Sequence, residues 1–80
     1  MPTTASNRSQ PLRSARPGET VRVLRLDAQE SVCSRLREMG FCEAAEVRVI
    51  NNAGALVCQV CGSRVGLSRQ LADVITVTAA

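Results

Sequence analysis

The sequence predicts a mainly β domain: a small, partly open barrel of about five short strands, with one α-helix after the first strand and a short helical turn before the last. Three observations indicate this fold. Apolar and polar residues alternate with period two in several segments, one segment has helical periodicity, and turn-forming residues separate them. Strands this short would expose their edges in a flat sheet, so a bent, partly closed sheet is favoured.

The first strand is predicted over residues 20–26. Its alternation shifts phase at Val23 and Leu24, which indicates a bulge or a bend in the strand. The following residues, Asp27-Ala28-Gln29-Glu30, are typical of a capping box with Asp27 as the N-cap. A helix is therefore expected to follow directly.

The helix is expected to bury a stripe of apolar residues and to end at Gly40. Val32, Leu36 and Met39 recur at helical spacing and form this stripe. If Gly40 takes a left-handed conformation, Phe41 follows it and contacts Leu36, which is the hydrophobic contact of a Schellman motif.

The second half of the chain changes to period two. Residues 46–50 read as a strand, Asn51–Gly54 as a tight reversal, and residues 55–61 as the returning strand. After Gly62 a short strand covers residues 64–67, and Ser68 is expected to cap one helical turn. Residues 74–78 form the last strand.

Composition divides the chain into a tail over residues 1–16 and a domain over residues 17–80. The tail is rich in Ser, Thr and Pro and carries Arg8, Arg13 and Arg16 without a carboxylate, which predicts a flexible segment. The domain balances seven arginines against seven carboxylates. Balanced charge and a single aromatic residue disfavour nucleic-acid binding, and no apolar run reaches the length of a membrane span.

Two of the four cysteines form a Cys58-Gln-Val-Cys61 pair followed by glycine. In an extended strand they point to opposite faces, so the favoured interpretation places Cys58 in the core and Cys61 at the surface or in a turn. The alternative is a zinc or iron site that combines Cys58 and Cys61 with Cys33, Cys42 or both. Tetrahedral zinc needs four ligands, and the Cys33 to Cys42 spacing is unusual for such a site.

An enzyme is the least supported class of protein. The chain has no histidine, which excludes Ser-His-Asp and Cys-His pairs, and its glycines do not form a phosphate-binding loop. No catalytic residue, cofactor or small-molecule substrate is predicted.

The chain contains a series of short motifs in a characteristic order: Leu12, Pro17-Gly18-Glu19, Arg35-Leu36-Arg37-Glu38-Met39-Gly40-Phe41, Glu46-Val47-Arg48-Val49, Val65-Gly66-Leu67-Ser68, Leu71-Ala72 and Ile75-Thr76-Val77. This order resembles the FeoA family, small SH3-like barrels that accompany FeoB, the membrane GTPase that moves ferrous iron in bacteria. The resemblance runs from about residue 12 to residue 77. This sequence differs from the family pattern in residues 42–45, where Cys-Glu-Ala-Ala replaces a common Pro-Gly turn.

The resemblance implies a non-catalytic cytoplasmic module for ferrous iron transport that binds FeoB at the inner face of the membrane and modulates it. Arg35 and Glu38 on the helix and Phe41 at its end are the expected partner contacts. Two other interpretations remain: direct binding of zinc or iron by the cysteines, and a stand-alone relative of the SH3-like domains of metal-dependent repressors.

Overall fold

The strands form one antiparallel sheet that does not close on itself. The computed structural model describes residues 9–80. The strands lie in the order β1-β6-β2-β3-β4-β5. Their bounds are β1 (Gln10–Pro11), β2 (Thr20–Leu26), β3 (Glu46–Asn51), β4 (Leu56–Val60), β5 (Ser63–Leu67) and β6 (Ile75–Ala79). The predicted mainly β, SH3-like architecture is confirmed, with six strands in place of five.

Two short α-helices accompany the sheet. They are α1 (Glu30–Glu38) and α2 (Arg69–Asp73), and a 3-10 turn covers Leu12–Ser14. The predicted cap of α2 is confirmed, because the Ser68 hydroxyl accepts a 3.2 Å hydrogen bond from the amide of Leu71. Neither helix is long and apolar enough to cross a membrane.

The core lies between the inner face of the sheet and α1, α2 and the 3-10 turn. Every buried side chain of residues 9–80 is apolar or a cysteine. The strands supply this core by strict alternation, as in β4, where Leu56, Cys58 and Val60 are buried and Gln59 is exposed. The hairpin of β3 and β4 and the strand β5 agree with the sequence prediction.

The folded part of the protein begins earlier than composition predicted. β1 pairs with β6, and Leu12 and Ala15 are 0% and 1% exposed. The Asn52 side-chain amide donates to the carbonyl oxygens of Arg13 and Ala15, at 3.0 and 2.8 Å. The predicted domain boundary at residue 17 therefore lies too late, because residues 10–15 complete the core. The first eight residues of the predicted tail lie outside the described residues.

The predicted capping box is wrong. The N-cap of α1 is Gln29, which makes no side-chain capping bond. The carboxylate of Asp27 instead accepts hydrogen bonds from Thr76 Oγ1 at 2.7 Å and from Arg25 Nε at 3.1 Å. Asp27 thus connects β2 to β6 and leaves the helix without its cap.

The predicted bulge in β2 is confirmed. The register of β2 against β6 shifts between Val23 and Arg25, which leaves Leu24 as the additional residue. A second shift, between Val49 and Asn51, bends β3 against β4.

Candidate functional site

The end of α1 is a Schellman motif, as the sequence predicted. Gly40 has a φ of +106°, and its amide donates to the carbonyl oxygen of Arg37 at 3.0 Å. The amide of Phe41 donates to the carbonyl oxygen of Leu36 at 2.9 Å. These two bonds satisfy carbonyl groups that the last turn would otherwise leave free, and they direct the Phe41 side chain inward.

Phe41 is therefore a core residue and not a partner contact. Its exposed fraction is 0%, and it is the largest fully buried side chain in the described part of the chain. The sequence prediction that Phe41 contributes to a partner surface is wrong, because the same Schellman geometry that the sequence predicted places the ring against the core.

Arg35 and Glu38, the other two predicted contacts, lie on the exposed side of α1. Neither forms an ion pair or a side-chain hydrogen bond with any of residues 9–80. Their neighbour Arg37 differs, since its guanidinium donates to the carboxylate of Glu43 at 3.2 Å. This contact raises the pKa of Arg37 and lowers the pKa of Glu43. On this part of the helix, Arg35 and Glu38 are thus the charges that remain unpaired.

Leu24 adds an apolar contact that sequence reasoning missed. It is 41% exposed and is the one large apolar side chain exposed among residues 9–80. Its neighbour Val23 exchanges backbone hydrogen bonds of 2.8 and 2.9 Å with Ala44 and Ala45, in the loop that follows α1. The phase shift at Val23 and Leu24 was the available signal, because a bulge turns one additional side chain outward.

We call Leu24, Arg35 and Glu38 the contact surface. Leu24 lies on β2, whereas Arg35 and Glu38 lie on α1. The loop of residues 42–45, which follows α1, is hydrogen-bonded to β2 at Val23, next to Leu24. An exposed apolar side chain together with unpaired charges of both signs suits recognition of another protein.

The paired cysteines point in opposite directions. Cys58 is 0% exposed, and its thiol lies 3.8 Å from the carbonyl oxygen of Val65. Burial raises the pKa of Cys58 to about 11, which keeps it protonated and unreactive at neutral pH. Cys61 is exposed, has a φ of +53°, and lies with Sγ 4.0 Å from the carbonyl oxygen of Gly40.

The remaining cysteines do not complete a donor set. The buried thiol of Cys33 donates to the carbonyl oxygen of Ala28 at 3.3 Å, on the strand-facing side of α1. Cys42 is exposed, with its Sγ 4.0 Å from the carbonyl oxygen of Arg37. Within residues 9–80 there is no group of three or more Cys, Asp or Glu side chains that could hold a metal ion. The four cysteines thus do not fit a four-ligand zinc site.

The fold is shared with solved structures of iron-uptake proteins. The iron uptake regulatory protein FeoA matches with a TM-score of 0.86 and 23% identity, over 91% of this chain and 99% of that one. FeoA of Stenotrophomonas maltophilia in complex with zinc, described as an SH3 domain protein, matches with a TM-score of 0.74 and 26% identity, over 82% and 86% of the two chains.

A longer protein contains the same fold as one of its parts. The IdeR protein of T. acidophilum matches with a TM-score of 0.83 and 18% identity, but 90% of this chain covers only 34% of that protein. A search of curated proteins found no match.

The family comparison covers nearly all of the described residues. The FeoA domain matches residues 10–79, from the first residue of β1 to the last residue of β6. This range includes the Schellman end of α1, the loop after it and the capped turn before the last strand. On this match the chain belongs to the FeoA family.

Proposed function

We propose that this protein is a non-catalytic accessory module of ferrous iron transport that binds the membrane GTPase transporter FeoB from its cytoplasmic side and modulates it. Membership of the FeoA family supports a role as an accessory protein of this transport. A relative with 26% identity, whose own suggested role is that of a bacterial ferrous iron transport activating factor, supports the same direction.

The observation that carries the proposal is the contact surface. The interior of the described part contains no buried polar or charged side chain, so chemical recognition must take place at the surface. There, Leu24 is 41% exposed and Arg35 and Glu38 have no partner among residues 9–80. Such groups can gain from binding without first breaking contacts within the protein.

Modulation of a partner requires contacts that are better in one of its states than in the other. The contact surface is attached to a short helix with a hydrogen-bonded end and to a strand in the middle region of the sheet. Both elements pack on the core, so the backbone positions that carry the three side chains keep a fixed spacing. A partner whose groups match this spacing in one conformation only would be stabilised in that conformation.

The double charge reversal R35E/E38R tests the proposal, because it preserves net charge and alters only exposed, unpaired groups. We expect it to reduce capture of FeoB from solubilised membranes by about tenfold or more. The matched control is R22E/E46R, which reverses an exposed ion pair of 3.3 Å between β2 and β3 and also preserves net charge. Equal capture by the native protein, R35E/E38R and R22E/E46R would contradict the contact surface.

A further inference from the structure

A shallow open cleft lies on the outer face of the sheet, and none of its lining residues belongs to the contact surface. It has a volume of about 300 Å³ and is lined by Gly18, Arg48, Val49, Ile50, Gln59 and Arg64. This volume is at the lower end of the range for small-molecule sites in proteins. The cleft is thus large enough for a small oxyanion and is accessible from solvent.

Strand pairing places the three polar side chains of the cleft in one row. Arg48 on β3 is directly opposite Gln59 on β4, and Gln59 is directly opposite Arg64 on β5. Residues opposite each other in antiparallel strands share a face of the sheet, and the exposure of all three identifies it as the outer face. The Cα atoms of the two arginines are two strand spacings apart, about 10 Å, and Gln59 lies on the strand between them.

The guanidinium groups of Arg48 and Arg64 are not neutralised within the described part of the chain. Neither forms an ion pair or a side-chain hydrogen bond with any of residues 9–80. Glu46, on the same strand and face as Arg48, is already bound to Arg22 at 3.3 Å. The carboxylate of Glu19, next to Gly18, accepts a 2.7 Å hydrogen bond from the amide of Arg16. Two positive charges therefore remain beside one amide donor.

We propose that Arg48, Gln59 and Arg64 form a binding site for a phosphoryl group. A phosphate monoester carries about −1.5 to −2 charges at neutral pH, which matches two guanidinium groups, whereas a carboxylate would leave one of them unpaired. Guanidinium groups bind phosphate oxygens with two parallel hydrogen bonds, and the amide of Gln59 supplies a further donor. The site is independent of the proposed partner, since it shares no residue with the contact surface.

The test is an NMR titration of the full chain at neutral pH and constant ionic strength, with inorganic phosphate, glycerol 3-phosphate or acetate. We expect saturable shifts of the Gly18, Val49 and Ile50 amides and of the Gln59 side-chain amide with both phosphates. Tighter binding of glycerol 3-phosphate would identify a phosphorylated organic molecule as the ligand class, and equal binding would identify free phosphate. Both results support the site.

Matched variants separate the site from general charge attraction. R48Q and R64Q each remove one positive charge from the cleft, and R35Q removes one unpaired charge from α1. We expect about tenfold or more weaker phosphate binding for R48Q and R64Q and unchanged binding for R35Q. The unperturbed resonances of each variant report whether it is folded. Shifts that do not saturate, equal affinities of R48Q and R35Q, or acetate binding as tight as phosphate binding would overturn the proposal.

Discussion

The backbone amide of Phe41 donates a 2.9 Å hydrogen bond to the carbonyl oxygen of Leu36, and both side chains are at most 1% exposed. This relationship depends on the left-handed conformation of Gly40 between them. It fixes the end of α1, the inward direction of the aromatic ring, and the start of the loop that leads to β3.

Replacement of Gly40 by alanine is expected to destabilise the protein by about 2 kcal/mol. A Cβ atom there would have an unfavourable φ and would lie 3.3 Å from Cys61 Sγ and 3.4 Å from two methyl groups of Val60. Urea unfolding measures the effect. The matched control is G54A, where the added Cβ meets no atom within 4 Å and φ is not positive. Equal stability of the two variants would contradict the role assigned to Gly40.

Replacement of Ala44 by glycine is expected to stabilise the protein. It has a φ of +73° in the turn closed by the 3.0 Å bond from the amide of Ala45 to the carbonyl oxygen of Cys42. Glycine takes this conformation without the steric cost that an L-residue pays, so A44G should raise the free energy of unfolding by about 0.5–1 kcal/mol. A44S, which keeps a Cβ atom, serves as the control. A loss of stability in A44G would show that this turn stores no strain.

The free energy of unfolding at alkaline pH should depend on the buried thiol of Cys58. Its pKa is raised from 9.0 in the unfolded chain to about 11 in the folded protein. The folded state thus holds this proton more tightly, and the resulting stability is complete below pH 9 and is lost as the pH rises to about 11. The sequence has no lysine, tyrosine or histidine, so few other groups titrate in this range.

Urea unfolding between pH 8 and pH 11 measures this loss, with C58A as the comparison. The alanine variant should be less stable at pH 8, because it leaves a small cavity, but its stability should decline less steeply with pH. Parallel curves for the native protein and C58A would refute the assignment.

The carboxylate of Asp27 should titrate below its usual range. The hydrogen bond from Thr76 is the main cause of its lowered pKa, and the contact with Arg25 acts in the same direction. The stability that this carboxylate contributes is therefore present above pH 3.8, and it is lost as the pH falls through the lowered pKa of Asp27 in the folded protein. NMR titration of the side chain should show an upward shift of this pKa in T76V.

The ion pair between Arg37 and Glu43 supplies a control for the titration of Asp27. R37Q removes the donor that lowers the pKa of Glu43, so it should raise the pKa of Glu43 and leave that of Asp27 unchanged. An unchanged Asp27 pKa in T76V would mean that the 2.7 Å contact with Thr76 is absent in solution.

Substitution of Leu24 by serine should separate binding from stability. The side chain is 41% exposed on the bulge of β2, so L24S should change the free energy of unfolding by no more than about 0.5 kcal/mol. Capture of FeoB should nevertheless weaken, because an apolar contact is lost. Retention of full capture by a folded L24S would remove Leu24 from the contact surface.

Sequence patterns correctly predicted those elements that neighbouring residues in the chain determine. Period two located β3, β4 and β5, and the burial of Cys58 follows from the same alternation, whereas Cys61 is exposed in the turn after β4. Gly40 located the end of α1 because a left-handed residue is a sufficient stop signal.

Contacts between distant parts of the chain account for the errors. β1 has two residues and no periodicity of its own, so only its pairing with β6 identifies it. Asp27 occupies the sequence position of an N-cap, but its carboxylate accepts a hydrogen bond from Thr76, which is 49 positions later in the chain. The cleft was missed because Arg48, Gln59 and Arg64 come together only through the register of three strands.

The pairing of β1 with β6 has a practical consequence for re-engineering the chain. Gln10 lies opposite Val77, so residues near 9 and 80 are neighbours in space. A short glycine-rich linker could join them, and new termini could be opened in the exposed reversal at Ala53 and Gly54. A circularly permuted form of the protein would then present both ends beside the β3–β4 hairpin, with all five strand pairings retained in their present order.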